Sequence, residues 1–281
     1  MLQFAITNLQ IDDTTFEVPS VLGRWQFARA PNYDELVPKL EKGMCANTFY
    51  ATNESVNPSI GDADFRAVFA EIVDICLVLS FLNARCVTPS GTTQFSSIQS
   101  IQLGDDFIRP RAIVGFEDLK VPSMTTLFVG WLPTSYSSYM KRGLRLQLSH
   151  WLSGLTCFSL EDIYLSAGVQ MDIIKQHERV VSGNSQLTYM QGMTSASSRY
   201  GLTPLGQDYK NMRNDIVHEG VLSGSNFRGR SKAQCADVLA DTLNWLDQYV
   251  LSVLDLAKQV SNVSRWRGAM LENNLPSISI R

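Results

Sequence analysis

One helical pattern constrains the fold of this chain more than any other stretch. Between Lys232 and about residue 260, apolar residues recur at intervals of three and four, which is the spacing of one face of an α-helix. This face consists of Cys235, Leu239, Leu243, Leu246, Val250, Val253 or Leu254, and Ala257. Ser231 and Gln234 precede it at the two positions of a capping box. We therefore predict a long helix here and expect it to pack beside the helix that precedes it in the chain.

That preceding helix, which ends at Gly220, carries polar groups that can perform chemistry. Its apolar stripe consists of Leu205, Tyr209, Met212 and Ile216. Asn214 and His218 lie one turn apart on the opposite side together with Asn211, and Arg213 lies on the flank. Gly220 supplies a left-handed cap, so His218 falls in the last turn, where the helix dipole favours a protonated imidazole.

Arg213, Asn214 and His218 are the groups that metal-free cleavage of a phosphodiester needs. They supply a cation for the anionic transition state, an amide that orients the reacting groups by hydrogen bonding, and a proton carrier. An alternative interpretation is a surface arginine that forms ion pairs and a histidine that merely complements the helix dipole. The other histidines, His150 and His177, are distant from this segment in the sequence. Because cleavage of a phosphodiester by an internal hydroxyl uses both a base and an acid, we expect two copies of the chain to share one site.

The string RNDIVHEG, residues 213–220, resembles the Arg-x4–6-His signature of HEPN domains. With the long helix that follows, it is most similar to the Apea-like or abortive-infection branch of that superfamily. The resemblance implies a helical bundle that pairs two-fold and cleaves RNA without a metal, with catalytic roles for Arg213 and His218 and a supporting role for Asn214. It also implies a toxin or anti-phage defence effector. Arg145 and His150 have the same spacing, but they lack the polar neighbour and the capping glycine.

The resemblance leaves two other function classes open. A catalytically inactive HEPN module would bind RNA, a nucleotide or a protein partner, and this binding would survive the substitution His218→Ala. A regulated effector would be held inactive by a partner or released by an activator. Relatives of this type often present a glutamate toward the motif from the preceding helix, and the resemblance implies Gln170 as its counterpart.

A basic segment follows the motif and predicts contacts to RNA. It contains Phe227, Arg228, Arg230 and Lys232. An aromatic ring among cations offers a base a stacking surface and offers the backbone phosphate contacts. The alternative is an ordinary solvated loop. Since the net charge is −3 and the pI is near 5.7, RNA binding has to come from such local patches.

Cysteine usage and hydropathy argue against a metal-binding, disulfide-bonded, secreted or membrane protein. The five cysteines are scattered without a C-x-x-C pair. We therefore expect no zinc site, no other cofactor and no disulfide framework. No secretory signal pattern precedes residue 18, and Asp74 and Ser80 interrupt the longest apolar run. We therefore expect a cytoplasmic protein that is not inserted in a membrane.

Together these patterns predict an α+β fold, with a C-terminal HEPN-like helical bundle, a β-rich N-terminal region and inserted strands. Early strands are predicted at Leu2 to Thr7, Thr14 to Val18, Leu22 to Ala30 and Met44 to Ala51. Helices are predicted from Asp62 or Asp64 to about Arg85, from Tyr136 to about Leu155 and from Ser159 to Gln176, with a loop at Ser182 to Ser198. The predicted parts are a β-rich region (residues 1–60), a HEPN-like domain (61–268) with a β insertion around 92–130, and a tail (269–281). The N-terminal region either covers the helical domain or binds a partner.

Overall fold

The computed structural model of the chain describes residues 2–56, 63–92, 119, 123–124, 143–258, 260 and 264–280. These residues form eight helices and a five-stranded antiparallel sheet. This confirms the α+β class predicted from the sequence. The chain divides into two compact units. The first contains the described residues up to 124 together with 258 and 260, and the second contains the described residues 143–257 and 264–280.

The first unit is built on the sheet. Its strands are β1 (Leu2–Thr7), β2 (Thr15–Ser20), β3 (Gly23–Arg29), β4 (Asn47–Asn53) and β5 (Thr88–Thr92), in the order β2-β3-β4-β1-β5. Its helices are α1 (Tyr33–Glu41) and α2 (Ala63–Asn83). The first four strands lie where alternating hydrophobicity predicted them, because every second residue turns into the core. Phe4, Phe16, Trp25, Phe27 and Phe49 are fully or almost fully buried.

Helix α2 packs with the sheet, whereas the prediction assigned it to the helical domain. Its buried Glu71 accepts the indole N–H of Trp25 at 3.0 Å and the hydroxyl of Ser20 at 2.6 Å. The backbone N–H of Val21 donates to the same carboxylate at 3.2 Å. A buried carboxylate needs such donors, so these contacts fix α2 against β2 and β3. The strands predicted around 92–130 lie outside the described residues, except for Thr92, Leu119, Ser123 and Met124.

The second unit contains the other six described helices. They are α3 (Leu144–Gly154), α4 (Leu160–Ser182), α5 (Tyr189–Tyr200), α6 (Gln207–Glu219), α7 (Lys232–Val253) and α8 (Gly268–Asn274). The predicted capping box of Ser231 and Gln234 is present at the start of α7. The loop predicted at Ser182 to Ser198 is wrong from residue 189 onward. Thr188 and Gln191 form a second capping box there, which satisfies the first backbone donors of α5.

A fully buried ion pair joins two parts of the second unit. The Arg265 Nε lies 2.7 Å from the Asp247 Oδ2, and both side chains are fully buried. The indole N–H groups of Trp151 and Trp266 donate to the same carboxylate at 3.0 and 2.9 Å. Because these donors converge on one buried carboxylate, they link α3 and α7 to the segment before α8.

The C-terminal segment, predicted to be a tail, is anchored in the structure. The carboxylate of Glu161, at the start of α4, accepts the hydroxyls of Ser277 and Ser279 at 2.6 and 2.7 Å. It also accepts the backbone N–H groups of Ile278 and Ser279, each at 3.0 Å. The hydroxyl of Ser279 in turn accepts the backbone N–H of Leu222 at 3.1 Å. This segment therefore joins the start of α4 to the loop that follows α6.

None of the helices in the described ranges has an apolar stretch of the length that a bilayer crossing requires.

Candidate functional site

The motif helix α6 turns its apolar side inward as the sequence predicts. Tyr209, Met212 and Ile216 are buried, and the helix ends at Gly220, whose φ of 73° is left-handed. The helix begins at Gln207, so Leu205 of the predicted apolar stripe precedes it. His218 lies in the last turn and is exposed. In the described part of the chain, neither His218 nor the half-buried Asn214 finds a hydrogen-bond partner, so both remain free to meet a ligand or another copy.

Arg213 lies on the flank of α6 and is held by two neighbours from other helices. Its guanidinium carbon lies 4.0 Å from the centroid of the Tyr189 ring, at the start of α5. Its Nη2 lies 3.6 Å from the Asp172 Oδ2 on α4. A guanidinium over an aromatic face is attracted by the ring quadrupole, which restricts its orientation. Arg213 is thus pre-oriented, yet its side chain keeps 22% of its surface exposed.

The ring of Tyr189, which contacts Arg213, is held in place by two further tyrosines. The Tyr189 ring stacks on that of Tyr209 at 5.9 Å and 20°, and their hydroxyl groups are in contact. The hydroxyl of Tyr164 donates to the backbone carbonyl of Tyr209 at 2.7 Å. Burial raises the pKa of Tyr189 to about 12, so its hydroxyl stays protonated at neutral pH. The stack therefore presents a neutral, fixed ring to Arg213.

Asp172 also binds a second cation. Its Oδ1 accepts the ammonium of Lys175 at 2.6 Å, and that ammonium lies 5.8 Å from the centroid of the Tyr189 ring. We refer to Asp172, Lys175, Tyr189 and Arg213 as the arginine cluster. Two positive charges and one negative charge leave this cluster with a net charge of +1.

Within one copy of the chain, the side chains of Arg213 and His218 do not point toward the same place. They are five residues apart on α6. At about 100° and about 1.5 Å per residue, they point about 140° apart and are separated by about 7.5 Å along the axis. The two side chains of one copy therefore leave the helix in different directions.

The two predicted supporting residues have different environments. Asn211 stays on the outer surface of α6 and accepts the side-chain amide of Gln207 at 3.0 Å. Gln170 is buried on the far side of α4 from Asp172, because two residues correspond to about 200° of helix. It borders a cavity of about 10 Å³ beside Trp151 and Leu243. The residue of α4 that lies next to Arg213 is therefore Asp172, and the supporting role of Gln170 stays a prediction.

The structure corrects part of the predicted RNA-binding segment. Phe227 is 2% exposed and lies under the guanidinium of Arg230, 5.1 Å from the ring centroid. Its ring is therefore covered and does not offer a base a stacking surface. Lys232 donates to the backbone carbonyl of Glu272 at 2.5 Å. Arg228 is exposed, and no hydrogen bond or ion pair joins it to any residue that the structure describes.

Two acidic residues of the motif string have roles that the sequence interpretation missed. The fully buried carboxylate of Asp215 accepts the backbone N–H groups of Gly224, Asn226 and Phe227 at 2.8, 2.9 and 2.7 Å. The Asn226 amide is a fourth donor, at 2.7 Å. Burial alone would raise the pKa of Asp215, but these four hydrogen bonds lower it below its ordinary value. Glu219 similarly accepts the backbone N–H and the hydroxyl of Ser225.

Gly224 is the one position of this loop where a side chain cannot fit. A Cβ atom there would lie 2.5 Å from the Glu219 Oε2 and 2.9 Å from the Asp215 Cγ. The loop can therefore close on both carboxylates only with glycine at this position. A sequence signal for this arrangement did exist, since Asp215 lies beside Ile216 on the apolar side of the helix.

Within the described ranges, no three His, Cys, Asp or Glu side chains are grouped so that they could hold a metal ion. The five cysteines are free thiols, of which Cys76 and Cys235 are buried.

Comparison with known proteins does not assign the chain to a family. No family model, curated protein or solved structure matches it. Its function therefore has to be inferred from the residues of the site and from the resemblance of the string at 213–220.

Proposed function

We propose that the chain is a metal-independent endoribonuclease of the HEPN type, in which two copies combine Arg213, Asn214 and His218 in one cleft. The observation that carries the proposal is the position of His218. It is exposed in the last turn of α6, has no partner among the described residues, and lies one turn from Asn214. A pre-oriented arginine on the same helix supplies the matching cation.

The proposed reaction is transesterification of RNA by its own 2′-hydroxyl. One His218 takes the proton of this hydroxyl while the 2′-oxygen attacks the adjacent phosphorus. Arg213 binds the non-bridging oxygens, whose charge increases in the pentacoordinate state. The His218 of the second copy donates a proton to the departing 5′-oxygen. The products are a 2′,3′-cyclic phosphate and a 5′-hydroxyl end.

Three exposed apolar side chains support an association of two copies at this site. Val217 on α6 is 51% exposed, and Leu165 and Val169 on α4 are 46% and 43% exposed. They lie on the two helices that carry Arg213 and Asp172. Exposed apolar residues beside polar groups are typical of protein interfaces. A two-fold contact here would cover them and would bring a second His218 to the site.

A second candidate is a catalytically inactive HEPN module that binds RNA, a nucleotide or a protein partner. The observation that favours it is the pairing of Arg213 with Asp172 and Tyr189 within its own chain. An arginine engaged in this way can stabilise the fold without binding a substrate. This candidate predicts RNA binding or dimerisation that persists after His218→Ala.

The two candidates are distinguished by incubating the purified protein with mixed RNA in excess EDTA and analysing the ends of the fragments. We expect cleavage to 2′,3′-cyclic phosphate ends, and we expect Arg213→Ala and His218→Ala each to abolish it. Arg145→Ala and His150→Ala are matched controls, because this pair has the same spacing but a different context. Cleavage that requires a divalent metal or persists in His218→Ala would contradict the proposal. A strictly monomeric protein in light scattering would contradict the shared site.

The same resemblance suggests a toxin or anti-phage effector that is controlled by a partner or activator. Toxicity of the wild type on expression, lost in His218→Ala, is the expected cellular readout. Equal growth with both chains would contradict this role.

A further inference from the structure

Asp172 lies between two cations at unequal distances. The ammonium of Lys175 is 2.6 Å from one carboxylate oxygen, whereas the Arg213 Nη2 is 3.6 Å from the other. The first distance is that of a charge-assisted hydrogen bond, and the second is too long for one. Asp172 is therefore bound tightly by Lys175 and only loosely by Arg213.

This asymmetry affects what Arg213 can bind. If Asp172 had Arg213 as its only cation, the carboxylate would compete directly with an incoming phosphate. With Lys175 in place, the charge of Asp172 is already balanced, and the Tyr189 ring keeps the guanidinium in position. Arg213 can then leave its loose contact with Asp172 and bind a phosphate, while the carboxylate of Asp172 stays paired with Lys175.

We propose that Lys175 is a positioning residue that neutralises Asp172 and so keeps Arg213 available for a phosphate of the RNA backbone. This inference rests on the proposed function, because it specifies how the arginine of that site is prepared for its substrate. Lys175 acts through Asp172 and does not itself contact the phosphate.

The packing of α5 on α4 fixes Lys175 in this position. A Cβ atom at Gly192 would lie 3.1 to 3.2 Å from the Cγ, Cβ and Cα atoms of Lys175. Glycine at this position therefore allows α5 to lie directly on the stem of Lys175. The Lys175 side chain is only 17% exposed, and its ammonium group is directed toward Asp172. A lysine confined in this way is a permanent partner of that carboxylate and not a freely moving surface charge.

The test measures binding, so that it does not depend on catalysis. A fluorescent oligoribonucleotide with 2′-O-methyl groups cannot be cleaved by its own 2′-oxygen, and its affinity is read by anisotropy at several salt concentrations. The variants are Lys175→Met, which retains an apolar stem, Asp172→Asn and the double variant. Lys39→Met is the matched control, because Lys39 is an exposed lysine of the first unit. Thermal unfolding of each variant verifies that it is folded.

We expect Lys175→Met to weaken binding on the order of tenfold, because Arg213 then pairs with Asp172. Adding Asp172→Asn should restore the wild-type affinity, since the competing carboxylate is gone. Asp172→Asn alone should bind at least as well as the wild type, and Lys39→Met should leave binding unchanged. A double variant that stays as weak as Lys175→Met would overturn the proposal, because it would show that Lys175 contacts the phosphate itself.

The result for Arg213→Ala separates this inference from the proposed function. If Arg213→Ala binds as well as the wild type, the role of this arginine in RNA binding is wrong. If Arg213→Ala loses affinity while Lys175→Met does not, only the role of Lys175 is overturned.

Discussion

The buried carboxylate of Asp215 accepts the backbone N–H of Phe227 at 2.7 Å, so a residue of the motif helix holds the loop that follows it. Glu219 does the same through Ser225. The string RNDIVHEG therefore contains two kinds of residue. Asp215 and Glu219 fix a loop, whereas Asn214 and His218 face outward without a partner among the described residues. The structural role of the first pair does not require the chemistry of the second.

Replacing Asp215 should destabilise the second unit. In Asp215→Asn the amide can no longer accept four hydrogen bonds, so buried N–H groups of the loop lose their partner. We expect the free energy of unfolding to fall by about 2 to 4 kcal/mol, measured by denaturant unfolding. Asp208→Asn, on the exposed side of α6, should change it by less than about 0.5 kcal/mol. Equal stabilities of the two variants would contradict the role assigned to Asp215.

The ring of Tyr189, and not its hydroxyl, should matter for Arg213. Tyr189→Phe keeps an aromatic face under the guanidinium, whereas Tyr189→Leu removes it. If the protein cleaves RNA as proposed, we expect Tyr189→Leu to lower the rate about 3- to 30-fold, the equivalent of one cation–π contact. Tyr189→Phe should stay within about threefold of the wild type. Equal losses in both variants would show that the hydroxyl contact with Tyr209 is the important one.

Phe227 and Arg228 are neighbours in sequence but should respond differently to substitution. Phe227→Ala removes a core side chain and should lower the free energy of unfolding by about 3 to 5 kcal/mol. Arg228→Ala should leave stability nearly unchanged and should reduce the salt dependence of RNA binding by about one unit of slope. Denaturant unfolding and a salt titration of binding measure the two effects. An unchanged salt dependence of binding in Arg228→Ala would show that Arg228 does not contact the RNA phosphates.

The anchoring of the C-terminal segment by Glu161 should make stability depend on acidity. Burial alone would raise the pKa of Glu161, but the hydrogen bonds from Ser277, Ile278 and Ser279 lower it from 4.5 to about 2. A lowered pKa stabilises the folded state at pH values above the unfolded pKa, and this contribution is lost as the pH falls to about 2. Its size is on the order of 3 kcal/mol.

Comparing the wild type with Glu161→Gln measures this contribution. The difference in unfolding free energy between the two chains should be constant near neutral pH and should shrink as the pH falls below about 4.5. A difference that does not vary with pH would mean that Glu161 does not titrate in this range.

Periodicity predicted α6 and α7 well because the apolar residues of each helix recur at intervals of three and four and are buried. The apolar stripe from Tyr209 to Ile216 and that from Cys235 to Val250 each face the interior. Helix α5 has a weaker signal, since Ser, Gly and Thr residues occupy much of it. Its beginning is fixed by the capping box of Thr188 and Gln191, which the composition of the segment obscured.

The environments of Gln170 and Phe227 could not be obtained from the sequence alone. On α4 a difference of two residues reverses the direction of a side chain, so choosing between Gln170 and Asp172 requires knowing which face meets α6. An aromatic residue among arginines suggests an exposed stacking surface. Its burial here depends on Asp215, which is twelve residues earlier in the chain. Contacts of this kind are set by tertiary packing and not by local pattern.

The hydrogen bond between Leu222 and Ser279 also has a consequence for biosynthesis. The two residues are 57 positions apart, so at about 5 to 20 residues per second a ribosome adds Ser279 roughly 3 to 11 s after Leu222. Glu161 likewise receives its donors from Ser277 and Ser279 only at that late stage. A nascent chain can therefore form α6 several seconds before the loop beyond it is fully anchored.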